Sequence, residues 1–127
     1  MEKLIESARK VIKNSYSPYS KFKVGASILT KSDKIYSGCN IENSSFGATV
    51  CAERIAIFKA VSEGEKEFTK LAIVSDNDVM PYPCGICLQV ISEFVNNDIE
   101  IIISNKNGKT VESSLKKLLT MPFTINK

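Results

Sequence analysis

Three of the four cysteines in this 127-residue chain stand in two short segments, Thr49-Val50-Cys51-Ala52-Glu53-Arg54 and Pro83-Cys84-Gly85-Ile86-Cys87. Three thiolates leave one position of a tetrahedral Zn2+ open to water, whereas a structural zinc site closes all four positions with protein groups. The pattern therefore predicts one Zn2+ per chain, held by Cys51, Cys84 and Cys87. Glu53 falls two residues past the first cysteine and outside the ligand set, which reads as a carboxylate kept for proton transfer. Arg54 beside it is placed to donate to the sulfurs and offset the negative charge of three thiolates.

That chemistry dictates where helices begin. Residues two apart diverge in mid-helix, so Cys51 and Glu53 reach one metal only from a first turn, and the polar stretch Glu42 to Gly47 ahead of Val50 provides the loop-to-helix boundary. Cys84 and Cys87, three apart behind Pro83, share one face of the first turn of a second helix. Free amide groups there favour thiolate over thiol.

The remaining elements follow from periodicity. Leu4, Ile5, Ala8, Val11 and Ile12 predict an amphipathic helix from Met1 to about Tyr16, ended by Ser17-Pro18-Tyr19-Ser20. Phe22, Val24, Ala26 and Ile28 alternate as a strand that turns near Lys31-Ser32-Asp33-Lys34 into a second strand from Ile35 to Ile41. The segment Val50 to Val61 is apolar on almost every side, so part of that helix is expected against another subunit, with Gly64 as terminator. Leu71-Ala72-Ile73-Val74 reads as a strand covered on both faces in a parallel part of a sheet. A helix from Cys84 to about Val95 stops at Asn96-Asn97, and a strand follows at Ile99-Glu100-Ile101-Ile102-Ile103. Asn107-Gly108 marks a hairpin turn, and Leu115, Leu118 and Leu119 a last short helix. Such an order indicates an α/β layered domain with a mixed sheet.

The cysteines and Glu53 also match the zinc-deaminase signature, H-x-E followed by P-C-x-x-C, with Cys51 in the histidine's place in a chain that has no histidine. Together with Phe22-Lys23-Val24-Gly25-Ala26, Gly38-Cys39-Asn40-Ile41-Glu42-Asn43 and Cys51-Ala52-Glu53-Arg54, they make nearly the whole chain resemble the small zinc-dependent cytidine deaminases of the cytidine and deoxycytidylate deaminase superfamily. This resemblance implies a three-layer α/β/α fold over a single domain, residues 1–127, with a mixed sheet of about five strands. It implies hydrolytic deamination of cytidine and 2'-deoxycytidine to uridine and 2'-deoxyuridine plus ammonia, in pyrimidine salvage. Zinc-bound hydroxide would attack C4 of the base while Glu53 shuttles protons. Asn40 and Glu42 would hold the ribose hydroxyls, Phe22 would pack beside the base, and backbone groups at Ala52 and Cys84 would read the ring. The resemblance further implies a homotetramer in which Phe46 and Phe123 reach substrate across subunit boundaries. Two residues depart from the family pattern: Leu88 follows Cys87 where arginine is common, and Phe46 stands where tyrosine is frequent.

Composition bounds the alternatives. Hydrophobic residues make up 43% and charged residues 24%, the balance of a globular protein. The N-terminal segment is mixed in charge, so a cytoplasmic protein without signal peptide or membrane span is expected. With a net charge of +3 and scattered lysines, no nucleic-acid or membrane partner is expected, only a nucleoside substrate and other copies of the chain. Three competing readings make opposite demands. A structural zinc module would recruit Cys39 as fourth ligand and leave Glu53 idle. A thiol redox pair would need Cys84 and Cys87 free of metal. A zinc deaminase of another cytosine compound, such as a nucleoside antibiotic, would share the metal motif but not the ribose-type Asn40-Ile41-Glu42.

Overall fold

The computed structural model describes residues 2–95 and 98–125. Helix α1 (Glu2–Val11) leads into a hairpin of β1 (Val24–Thr30) and β2 (Ile35–Cys39), followed by α2 (Ala52–Ser62) and β3 (Phe68–Ser75). Then come α3 (Gly85–Phe94), β4 (Glu100–Ser104), β5 (Thr110–Ser114) and the short α4 (Leu115–Leu118). The strands form one sheet in the order β2-β1-β3-β4-β5. Its one parallel pair, β3 with β4, is joined through α3, as a parallel connection requires, and the other neighbours run antiparallel.

Strand alternation sorts the core into two faces. Val24, Ala26, Ile28, Leu71, Ile73, Ile101 and Ile103 pack with Ala56, Ile57 and Ala60 of α2 and Leu88 and Ile91 of α3. The intervening Ala72 and Ile102 pack with Leu4 of α1. Three layers result: α1, the sheet, and α2 with α3, as the expected α/β/α class has it. A continuous apolar run in β3 is what a strand covered on both faces needs.

Two glycines let the helices lie close on the sheet. A Cβ on Gly38 would stand 2.6 Å from Ile55 Cγ2 and 2.7 Å from the Ala56 nitrogen, so α2 can pack on β2 only over a bare backbone. On the opposite face, a Cβ on Gly25 would stand 2.1 Å from the Ala8 carbonyl oxygen of α1. Because successive side chains of a strand point to opposite faces, Cys39, next to Gly38, is buried on the α1 side.

Several boundaries differ from the periodicity reading. α1 ends at Val11 and tightens into a 3-10 turn over Ile12–Asn14, because Tyr16 is drawn off to bridge Ile41. The first two strands are Val24–Thr30 and Ile35–Cys39, shorter than the expected Phe22 to Ile28 and Ile35 to Ile41 at the site end. There the Asn40 side chain takes over the pairing, accepting from the Val24 N–H at 3.0 Å and donating to the Phe22 carbonyl at 2.7 Å. Within this chain the sheet covers only part of α2, the rest being expected against another subunit: Phe58 is 44% exposed, and Ile55 and Val61 are half-buried. The expected stop at Asn96-Asn97 lies outside the described residues. Gly108, with φ of +86°, supplies the left-handed conformation of the turn before β5. Among the described residues no helix is long and apolar enough to cross a membrane.

Candidate metal and catalytic centre

Two helix starts meet at the end of the sheet where β1 begins and β2 ends. Cys51 is the N-cap of α2 and Cys84 the N-cap of α3, each with extended backbone. Cys87 sits in the first turn of α3, and its N–H points at Cys84 Sγ, 3.5 Å away. The sulfurs of Cys84 and Cys87 are 3.4 Å apart, and all three cysteine sulfurs lie within 4.8 Å of one another. All are free thiols. Three soft donors converging from two positively poled helix ends fit one zinc ion and leave its fourth position to solvent. Cys39 is not part of this group; it is buried across the sheet, which removes the fourth ligand that a structural site would need.

The electrostatics agree with that geometry. The Cys51 thiol is pushed down to about 5, first by a hydrogen bond from Cys87 and then by the Arg54 guanidinium, against the effect of burial. Cys87, which supplies that hydrogen, is pushed up. Arg54 donates from Nη2 to the Thr49 carbonyl at 3.2 Å and to Cys51 Sγ at 3.6 Å, placing its charge beside the sulfurs as expected. Its Nε is buried and has no hydrogen-bond partner among the described residues.

Glu53 is 4% exposed, with its carboxyl pushed up to about 7, chiefly by burial and secondly by the negative Cys51. A carboxyl poised near neutrality both accepts and releases protons, which suits an acid–base residue. It faces a cavity of about 220 Å³ that also takes in Cys51, Cys84, Ala52, Phe22, Asn40 and Glu42. Thus two of the expected metal ligands, Cys51 and Cys84, border one space with the carboxylate and all four expected substrate contacts, while Cys87 is buried behind them with its sulfur within 4.8 Å of theirs. A larger cavity of about 340 Å³ between Lys31, Lys66, Phe68 and Phe94 contains no sulfur, and its one carboxylate, Glu67, is paired with Lys31 at 3.3 Å.

The rim carboxylate is held in place. Glu42 Oε1 accepts from the backbone N–H groups of Tyr19 and Ser20 at 2.9 and 3.1 Å, and Oε2 accepts from the Ser20 hydroxyl. These contacts, the Ser20 hydroxyl first, hold its pKa below the ordinary glutamate range. Asn40 is more committed than expected: its Oδ1 also accepts from the Ser15 hydroxyl, so a single amide hydrogen remains for a ligand. Val24 of β1 also lines the cavity, together with Ser20, Thr49, Pro81 and Tyr82, which escaped the sequence reading, since no motif spacing singles them out. Only the neighbourhood of Ser20 to Phe22 offered a signal.

Neither expected rim aromatic borders this cavity in its own chain. Phe46 is 76% exposed, meets the Tyr19 ring edge-to-face at 6.1 Å, and borders a neighbouring hollow with Ser20 and Glu42. Phe123 is 69% exposed. Leu88, where the family commonly has arginine, is buried among the apolar residues beneath α3.

Residues 1–103 match the family described as the cytidine and deoxycytidylate deaminase zinc-binding region. A cytidine deaminase from Sporosarcina psychrophila is 47% identical over 124 residues, covering 98% of this chain and 91% of its own. The crystal structure of cytidine deaminase from Burkholderia pseudomallei superposes with a TM-score of 0.91 at 39% identity, covering 96% of this chain and 98% of that one. A blasticidin-S deaminase from Bacillus cereus is 35% identical over 131 residues, covering 97% of this chain and 91% of its own.

Proposed function

The chain belongs to the cytidine and deoxycytidylate deaminase zinc-binding family, and on that premise we propose that it hydrolyses the exocyclic C–N bond of cytidine and 2'-deoxycytidine. The products are uridine or 2'-deoxyuridine and ammonia, and the setting is pyrimidine nucleoside salvage in the cytoplasm. One observation carries the reading. A buried carboxyl poised near neutrality shares a cavity with an aromatic ring, a tethered carboxylate and two members, Cys51 and Cys84, of a cluster of three converging cysteines.

Cys51, Cys84 and Cys87 hold the zinc, which when bound supplies a Lewis acid that makes water a nucleophile at neutral pH. Glu53 takes a proton from the attacking water and delivers it to N3 of the base as oxygen adds to C4. It then takes the proton of the new hydroxyl and passes it to the exocyclic nitrogen, which leaves as ammonia while C4 becomes a carbonyl. Burial keeps Glu53 able to reprotonate in each cycle, since an exposed glutamate would stay ionised at pH 7. Arg54 offsets the thiolate charge from beside Cys51.

Phe22 flanks the ring, Ala52 and Cys84 present backbone groups to it, and Glu42 accepts from a ribose hydroxyl. Two backbone amides and one hydroxyl already hold Glu42 in place, so that contact needs little ordering on binding. Asn40 gives its remaining amide hydrogen to the sugar. The active assembly in this reading is a homotetramer, whose subunits lend Phe46 and Phe123 to neighbouring cavities and cover the exposed Phe58.

The test is a substrate panel of cytidine, 2'-deoxycytidine and blasticidin S, with ultraviolet absorbance followed beside ammonia release. Conversion of both nucleosides with stoichiometric ammonia is expected. Conversion of blasticidin S alone would replace the proposed substrate with the antibiotic one.

A further inference from the structure

A two-point contact outside the cavity ties the C-terminal segment to α3. Gln89 Nε2 donates to the Phe123 carbonyl at 2.8 Å, and the Phe123 N–H donates to Gln89 Oε1 at 3.1 Å. A single carboxamide therefore takes up both backbone groups of one residue, as a neighbouring strand would. Gln89 lies on α3, two residues past Cys87, whereas Phe123 lies beyond α4 in a segment that belongs to no helix or strand.

The pairing holds the peptide and leaves the ring outside. Phe123 is 69% exposed, and its neighbours Met121 and Ile125 are 88% and 72% exposed. A contact that served only to secure the tail by burial would bring the ring inward, because apolar burial is where a phenylalanine contributes most. Two hydrogen bonds to the peptide groups on either side of one residue instead fix the direction in which its Cβ leaves the backbone. Phe123 does not border its own chain's cavity, so the ring is presented outward.

We propose that Gln89 is a positioning residue that ties the tail to the metal-binding helix α3 and holds the Phe123 ring at the angle at which it enters the nucleoside cavity of a second copy of the chain. The inference rests on the reading above, in which Phe123 covers the substrate of a neighbouring subunit. It adds the device that aims the ring. Through α3, the helix that starts at Cys84 and carries Cys87, the cover and the metal centre are set by one rigid element.

The test compares zinc-loaded native protein with Gln89→Leu, Gln89→Glu, Phe123→Ala and the double variant Gln89→Leu with Phe123→Ala. KM and kcat for cytidine are measured with zinc content, and hydrogen exchange is followed at the Phe123 amide. Gln89→Leu is expected to raise KM roughly fivefold, as the loss of about two neutral hydrogen bonds would, with kcat nearly unchanged and zinc retained. Exchange at the Phe123 amide is expected to accelerate. Gln89→Glu keeps the acceptor and loses the donor, so it moves KM in the same direction by less. In the Phe123→Ala background, Gln89→Leu adds nothing further.

An unchanged KM in Gln89→Leu beside a raised KM in Phe123→Ala overturns the proposal and leaves the cover reading standing. So does a Gln89→Leu effect that is equally large in both backgrounds. An unchanged KM in Phe123→Ala overturns the cover reading itself, and the amide exchange then shows separately whether Gln89 held the tail.

Discussion

Cys39 and Cys51 are the same residue type on opposite faces of one sheet, and their thiols are pushed in opposite directions. Under α1, Cys39 is buried and its thiol pushed up by that burial. At the start of α2, Cys51 is half-buried yet pushed down to about 5, because Cys87 and Arg54 donate to its sulfur. Burial is common to both, so the difference comes from the donors that reach Cys51. The face under α1 is closed by apolar packing; the face under α2 and α3 brings two helix N-termini together over one cavity. Chemistry in this fold follows from where helices begin.

The largest break of that comparison is by substitution at the cysteines. Cys51→Ala or Cys84→Ser should abolish stoichiometric zinc and reduce deamination to background, while Cys39→Ala keeps both at a stability loss of about 1 kcal/mol. Zinc analysis beside a cytidine assay checks this. Loss of zinc in Cys39→Ala would erase the distinction between the faces.

Next is the pH dependence of the metal-free protein. Glu53 is raised from 4.5 to about 7 in the fold, so its contribution to stability is fully present below pH 4.5 and lost as pH rises through 7. At about 1.4 kcal/mol per pH unit, that loss is on the order of 3 kcal/mol. Cys51 works in the opposite sense: its contribution is present above pH 9 and lost as pH falls through about 5. Subtracting the urea-unfolding profile of Glu53→Gln from that of the native chain isolates the first effect. A difference that does not grow between pH 4.5 and 7 would contradict the buried placement of Glu53.

Matched glycine substitutions sharpen the contrast further. Gly25→Ala and Gly38→Ala each force a Cβ against a helix, and each should destabilise by roughly 1–3 kcal/mol. Only Gly38→Ala displaces α2, with Cys51 and Glu53 at its start, so only it should lower kcat for the folded fraction. Equal kcat losses from both would show that the faces are not independent. The smallest expected effect is from Ser20→Ala, which removes a donor to Glu42 and should raise KM for cytidine about threefold without changing kcat.

Much of this was legible in the sequence, for identifiable reasons. Pro83 and the spacing of Cys84 to Cys87 announce a helix start, and Cys51 with Glu53 announces another, because only a first turn lets such residues meet. The run Leu71 to Val74 announces a strand with two covers. Other features depend on residues distant in sequence. Ser15 and Ser20 reach Asn40 and Glu42 only once the loop after α1 folds over the end of β2. The face on which Cys39 lies is set by Gly38 packing under Ile55, since alternation alone says that neighbours differ and not which one meets α2. The apolar residues of α2 outnumber what one sheet can cover, but which of them stay outside is set by the packing of the helix over Gly38, and in this chain Phe58 is the one left exposed.

The most direct measurement is ultraviolet absorbance of cytidine incubated with native protein and with Glu53→Gln, zinc being determined in both. The account predicts conversion to uridine by the native protein, a rate about a thousandfold lower in Glu53→Gln, and about one zinc per chain in each. Zinc-loaded native protein that leaves cytidine and 2'-deoxycytidine untouched would contradict it, as would a Glu53→Gln variant that keeps the native rate.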